Sequence, residues 1–408
     1  MKSLYKAWID ADTARLAVLS KRQKKTERAN GSGSAPKYDF IDALRGWAII
    51  GVIFVHTSHW YRPTWIWLYE IASQGARGVQ LFFIASALTL FLSMEYRKKT
   101  ELRPTLNFYL RRFFRIAPLF YIGIIFYLFV YGLGAHDWRP NGLEWWHVGL
   151  TATFLNSLHP ETTLTIVPGG WSVADEFMFY FCAPFLFVLL KNVKSTLVAL
   201  AATLFVMVLF NSGAEPILKA RYSEDLHYLV DFFIFSNPLS QLPIFLFGIL
   251  NFHIIKNRLL NEEQSELSKT WILIFALFLG SFALYLSGLA FVHIVFGPVF
   301  LAFSLFVYLR RSKFFVNRIT REIGKLSFSM YLSHFAVIFA VKALVPEGFA
   351  GNENGSFVIG FMVVLLLTAA VSFLTYHLIE APGVRLGRKV VERLEATEFR
   401  QSREVNTI

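Results

Sequence analysis

Ionisable side chains are costly inside apolar segments, and this 408-residue chain places three groups of them there or at the edges. The first is Asp42, Arg45 and His56, all within Phe40–His59. Eleven residues separate Arg45 from His56, close to three helical turns, so both side chains leave one face of a helix. At about 1.5 Å of rise per residue they stand about 16 Å apart. An imidazole titrates near neutrality and can act as a general base on a hydroxyl or as a covalent carrier. An arginine on the same stripe can steer an anion or steady a carbonyl as charge develops on it. The structural alternative is that Asp42 and Arg45 pair at an interface while His56 bonds a neighbouring helix. His56 and His59 have the spacing of a metal pair, but no further ligand set accompanies them, so no metal is expected.

The second group lies in Pro168-Gly169-Gly170-Trp171-Ser172-Val173-Ala174-Asp175-Glu176. Ser172 and Asp175 have capping-box spacing, which predicts a helix starting here and gives Asp175 a structural role. Glu176 lies one turn beyond Ser172 on the same face, where a carboxylate either serves the helix start or orients an imidazole such as His56. The third group is Arg111, Arg112 and Arg115, which share a face closely enough to clamp a phosphate. The alternative for these three is ordinary anchoring at the membrane surface. Ser86, Ser327, Ser329 and Ser333 suit helix packing better than nucleophilic chemistry. His334 falls mid-span and reads as a core histidine; His253, His293 and His377 lie nearer span ends, and nothing singles out a haem pair.

These residues must be held by a membrane bundle. The chain is 55% hydrophobic and 17% charged, with a mean hydropathy of +0.47. About 20 helical residues cross the hydrocarbon core. Ten spans are predicted: Phe40–His59, Gly75–Met94, Ile116–Leu133, Val173–Leu190, Ser195–Phe210, Leu239–Ile255, Trp271–Ser287, Ala290–Leu309, Leu326–Leu344 and Phe357–Leu378. Trp145–Leu158 is apolar but too short to span, so it is expected to be re-entrant or interfacial. Trp60, Tyr61, Trp65, Trp67, Trp138, Trp145 and Trp146 form a predicted aromatic belt.

The formal charge of +12 would suit nucleic acid, but the basic residues cluster beside the spans, so a bilayer and no nucleic-acid partner are expected. Lys and Arg are dense in alternate loops, which predicts that both termini are cytoplasmic. The fold class is therefore an all-α integral membrane bundle of about ten helices. Residues 1–37 form a basic, partly flexible lead-in without an apolar signal region, 38–382 the membrane domain, and 383–408 a basic cytoplasmic tail. No appended soluble domain is expected, and the single Cys182 allows no intrachain disulfide.

The ordered motifs resemble the acyltransferase-3 family of bacterial membrane O-acyltransferases. Ile41-Asp42-Ala43-Leu44-Arg45-Gly46 with His56 resembles that family's Arg-x10-His signature. Leu81-Phe82-Phe83-Ile84-Ala85-Ser86 resembles its second-helix motif, and Phe108 to Pro118 its Arg-x-x-Arg segment. Trp171-Ser172 through Glu176 to Phe179-Tyr180, Gly324 to His334, and Ile379-Glu380-Ala381-Pro382 resemble its later blocks. Ala87, Ala117 and Ser333 depart from the residues usual in the family, as packing-type changes.

The resemblance implies transfer of an acyl group, usually acetyl, from cytoplasmic acyl-CoA to a hydroxyl of a surface or periplasmic glycan or lipid-linked saccharide. It also implies a multi-pass protein of the bacterial inner membrane. Acyl-CoA would be a co-substrate, with no permanently bound cofactor. Coenzyme A is polyanionic, so Arg111, Arg112 and Arg115 would receive its phosphates, with Ser86 in the neighbouring motif, while His56, Arg45 and Glu176 carry the chemistry. The rival classes are a transporter or flippase of lipid-linked sugars, which often shows internal repeats, and a receptor or scaffold that binds acyl-CoA without turnover.

Overall fold

The structure is a computed structural model that describes residues 38–136, 138–261, 292–310, 312–346 and 349–405. The basic lead-in and the expected span Trp271–Ser287 lie outside the described residues.

All regular elements among the described residues are helical: α1 (Asp39–Trp60), α2 (Ile66–Ser73), α3 (Gly78–Arg97), α4 (Pro104–Tyr131), α5 (Trp145–Ala152), α6 (Pro160–Thr163), α7 (Gly170–Leu189), α8 (Val193–Lys219), α9 (His227–Ser236), α10 (Pro238–Asn261), α11 (Val292–Arg310), α12 (Arg318–Lys325), α13 (Ser327–Leu344), α14 (Glu353–Thr375) and α15 (Ala381–Val405). Short 3-10 turns join several of them. Nine helical runs among the described residues are long and apolar enough to cross a membrane, and they overlap the nine predicted spans that fall on described residues. Helix is the state that satisfies every backbone donor and acceptor within one segment in lipid.

α1 is the central element, packing on α3, α12, α13 and α14. Its approach to α12 is close enough that glycine is required on both sides. A Cβ at Gly46 would strike the Thr320 carbonyl oxygen, and one at Gly324 would strike that of Asp42. α12 is set by an Asn317–Thr320 capping box, and Trp47 Nε1 donates to the Phe315 carbonyl oxygen at 3.1 Å. The two helices therefore dock backbone to backbone, as small residues permit in membranes.

The basic loops meet at one end of the bundle. Arg321 reaches Asp39 at 2.5 Å, and Lys256 reaches Glu95 at 3.2 Å. Glu395 accepts from the Leu102 and Arg103 amides at 3.0 and 3.1 Å and from Asn107 Nδ2 at 2.6 Å.

Three features differ from the reading of spans alone. The tail expected beyond residue 382 is a helix, α15, continuous with α14 through a π-helical turn at Tyr376–Glu380 and packed on α4. The segment after α5 turns inward, with Phe154, Asn156, Ser157, Thr162, Thr163, Thr165, Ile166 and Val167 all buried. α7 thus begins beside the middle of α4, where Phe120 stacks on Phe154 with ring centres 4.9 Å apart. The predicted Ser172–Asp175 capping box is not formed: the helix is preceded by Gly169 in a left-handed turn (φ 75°), and its N-cap has no side-chain bond. Glycine carries no side chain to serve as a cap, and Gly169 adopts the left-handed turn without steric cost. Ser172 Oγ is spent instead on the Gly169 carbonyl oxygen (3.0 Å) and the Tyr331 hydroxyl (2.7 Å).

Candidate active site

α1, α3, α4, α7 and α13 line a partly open cavity near the basic end of the bundle. Arg45, Arg112, Arg115, Ser172, Glu176, Tyr180, Ser327 and Tyr331 supply its polar wall, and Val79, Phe82, Phe83, Ile116, Val173 and Phe328 its apolar wall. Arg112 and Arg115 lie one turn apart and both face inward. Ser172 and Glu176 likewise sit one turn apart on α7.

The electrostatics favour an anion. The walls carry three guanidinium groups against the single carboxylate of Glu176. None of the three makes an ion pair within 4 Å among the described residues. Arg45 donates to Thr89 Oγ1 at 3.2 Å. Arg112 stands over the rings of Phe108 and Tyr180, each 5.7 Å away, and its buried Nε has no hydrogen-bond partner. A guanidinium carries five N–H donors, so most of this capacity faces the cavity unspent.

Glu176 is fixed by two hydroxyls. It accepts from Ser86 Oγ in a short hydrogen bond and from Tyr180 OH at 2.6 Å. Ser86 therefore reaches the cavity through Glu176. Glu380, buried in the π-helical turn, accepts from Ser329 Oγ at 2.7 Å, and its carboxylate attracts Arg115 from beyond ion-pair distance. Single π-turns recur at functional sites, and this one sets a carboxylate behind the arginine pair.

His56 lies farther along α1, against α13. Its ring centre is 5.3 Å from that of His334, 4.4 Å from Phe335 and 5.7 Å from His59. Among the described residues it makes no hydrogen bond. The stripe predicted on α1 is thus matched by one on α13: Ser327, Phe328 and Tyr331 share the cavity with Arg45, while His334 and Phe335 meet His56. Tyr331 links the two levels. Its hydroxyl donates to the Gly169 carbonyl oxygen (3.1 Å), and its own carbonyl oxygen receives His334 Nδ1 at 2.6 Å. A carbonyl only accepts, so the His334 proton sits on Nδ1 and Nε2 is left as a bare acceptor. That Nε2 is buried without a partner, on a histidine whose ring neighbours His56.

The structure separates some of the predicted site residues. Arg45, Arg112, Arg115 and Glu176 share one cavity, with Ser86 behind Glu176. Arg111 points elsewhere: its two terminal nitrogens donate to the Glu101 carboxylate at 2.9 and 3.1 Å, and Glu101 also takes Arg97 at 2.5 Å. Glu176 bonds Ser86 and Tyr180 rather than His56. Tyr180, Tyr331 and Glu380 had appeared only inside motifs, and no spacing rule marks them. Among the described residues no three His, Cys, Asp or Glu side chains converge as a metal site.

A family profile described as an acyltransferase domain, of the acyltransferase-3 type, matches residues 38–377. The chain is 25% identical over 324 residues to the peptidoglycan O-acetyltransferase OatA of Listeria monocytogenes, covering 73% of this chain and 49% of that protein. It is 24% identical over 416 residues to the O-acetyltransferase OatA of Staphylococcus aureus strain MRSA252, covering 92% and 62%. It is 24% identical over 371 residues to the putative peptidoglycan O-acetyltransferase YrhL of Bacillus subtilis, covering 84% and 54%. The chain spans about half to three fifths of the length of these relatives. No solved structure matches it.

Proposed function

Since the chain belongs to the acyltransferase-3 family, we propose that it transfers an acetyl group from acetyl-CoA to a hydroxyl of a glycan. The relatives named as peptidoglycan O-acetyltransferases suggest a cell-wall glycan as the acceptor. The observation that carries the reading is the cavity wall of three guanidinium groups without ion-pair partners among the described residues, facing the single carboxylate of Glu176. A polyanionic donor with a thin arm suits such a wall, because fork-shaped guanidiniums bind phosphate at two points. We place that end of the bundle, and both termini, on the cytoplasmic side of the bacterial inner membrane. The support is that the Lys- and Arg-rich loops meet there.

In this reading Arg112 and Arg115 take phosphate groups of the donor. Arg45 steers the donor arm at the entrance, with Glu176 fixed opposite by Ser86 and Tyr180. The acyl-bearing arm extends between α1 and α13 toward His56. His56 takes the proton of the acceptor hydroxyl as the oxygen attacks the thioester carbon. The new C–O bond forms, the C–S bond breaks, and the departing coenzyme A thiolate recovers the proton. The bare Nε2 of His334 is the group able to accept a hydrogen bond from a protonated His56, which would stabilise the imidazolium.

The test uses purified protein in liposomes with radiolabelled acetyl-CoA and a crude lipid-linked glycan extract. Label reaching the glycan is the expected result. Movement of the lipid-linked sugar across the bilayer with no acetylation would replace this reading with that of a flippase.

A further inference from the structure

A second hollow lies at the opposite end of α1 from the arginine cavity. It is open, about 340 Å³, and lined by Tyr61, Arg62, Thr64, Tyr69, Glu353 and Ser356 among others. Tyr61 follows His56 by five residues, about 7.5 Å of helical rise, so the hollow begins much closer to His56 than the arginine cavity does. Its walls are tied together by Asn354, whose Nδ2 donates to Thr64 Oγ1 at 2.8 Å and whose Oδ1 accepts from the Trp65 amide at 3.0 Å. Tyr61 is buried, and its hydroxyl donates to the Val345 carbonyl oxygen at 2.9 Å. The hollow is thus a braced junction between the end of α1 and the start of α14.

Two side chains of opposite charge in its lining are without hydrogen-bond or ion-pair partners among the described residues. The guanidinium of Arg62 lies 4.8 Å from the centre of the Tyr69 ring and makes no hydrogen bond or ion pair among the described residues. Glu353 likewise has none. One wall therefore offers fork-shaped donors and another offers acceptors, with two tyrosines beside them. On either side of Ile66, which lines the hollow, Trp65 and Trp67 stack at 5.4 Å and are 54% and 55% exposed. Aromatic faces against C–H surfaces, with convergent polar groups fixing orientation, are what a polyol needs.

We infer that this hollow is the acceptor subsite, and that it holds an oligosaccharide bearing both hydroxyl or amide donors, for Glu353, and an anionic group, for Arg62. The inference rests on the acetyltransferase reading for its place in the reaction, but not for binding itself. An acceptor held here presents its hydroxyl to His56 from one end while the donor arm arrives from the other. The two substrates then need never share an entrance.

The experiment measures binding of soluble muramidase-released peptidoglycan fragments to the full-length His56→Ala protein in nanodiscs, by saturation-transfer NMR. The variants are the same protein carrying Arg62→Ala or Glu353→Gln, both at exposed positions, and acetyl-CoA binding is measured alongside as a folding control. The expected result is saccharide binding that weakens at least tenfold in each variant while acetyl-CoA binding stays within twofold. Binding as tight in both variants as in the parent would overturn the inference. So would a parent that binds no fragment at concentrations the wild type acetylates. If the wild type acetylates no glycan while the variants still lose fragment binding, the acetyltransferase reading fails and the sugar site stands.

Discussion

Replacing Arg112 by Ala separates donor binding from chemistry. The Arg112 guanidinium is held between Phe108 and Tyr180, with no carboxylate within 4 Å among the described residues. On the proposed reading its charged partner is the donor. A hydrogen bond to a charged group contributes about 1.5–3 kcal/mol. At about 1.4 kcal/mol per decade this is roughly a 10- to 150-fold weakening of acetyl-CoA binding. In the proposed arrangement the donor phosphates lie far from the reacting carbon, so the loss should appear in KM and Kd with kcat changed only a few-fold. Arg112→Lys keeps the charge but not the planar fork and should fall between the two. Arg111→Ala is the matched control: Arg111 is committed to Glu101, so its loss should leave Kd within about twofold. Equilibrium binding of labelled acetyl-CoA and initial rates in proteoliposomes read both quantities. An Arg112→Ala protein that binds acetyl-CoA as tightly as wild type would refute the placement of the donor phosphates, as would a larger loss for Arg111→Ala.

Other consequences are open to direct measurement. Gly324→Ala puts a methyl onto the Asp42 carbonyl oxygen and should cost about 1–3 kcal/mol or more, seen as a large fall in Tm or loss of folded protein in detergent; an unchanged Tm would mean the α1–α12 contact is loose. Tyr331→Phe removes the hydroxyl shared by Ser172 and Gly169 and should cost about 1–2 kcal/mol in thermal unfolding, with reduced transfer. Glu395→Ala releases the Leu102 and Arg103 amides at a largely solvated site, so a loss near 1 kcal/mol is expected, with faster amide exchange at residues 102–107. His334→Ala should lower kcat while leaving the KM for acetyl-CoA within about twofold, and a KM effect alone would place His334 in donor binding instead.

Much of the frame was legible because lipid makes one demand, a run of apolar helix, and that demand is written locally in sequence. The Arg45–His56 stripe was legible for the same reason, since spacing along one helix decides which side chains share a face. What lay beyond reach depends on how helices pack against one another. Arg111 and Arg112 are adjacent, yet one turns to Glu101, ten residues earlier across a loop, and the other to the cavity. The reading of Ser172 as a cap failed because Gly169 starts the helix in a left-handed turn, which frees Ser172 for Tyr331. Glu176 was expected near His56 on the view that α7 starts at a membrane surface. The buried stretch from Phe154 to Val167 carries that start inward and brings Glu176 to Ser86 and the arginines instead. The tail helix read as polar and basic, and its packing on α4 runs through Gly383 and Gly387 against Phe114, a contact no local pattern announces.

The most direct test is to measure acetyl-CoA binding and acetyl transfer on the same His56→Ala protein in proteoliposomes. The account predicts binding within about twofold of wild type, because the donor is held at the arginine cavity about 16 Å along α1, and no transfer of label to glycan. Transfer at the wild-type rate, or loss of acetyl-CoA binding together with transfer, would contradict it.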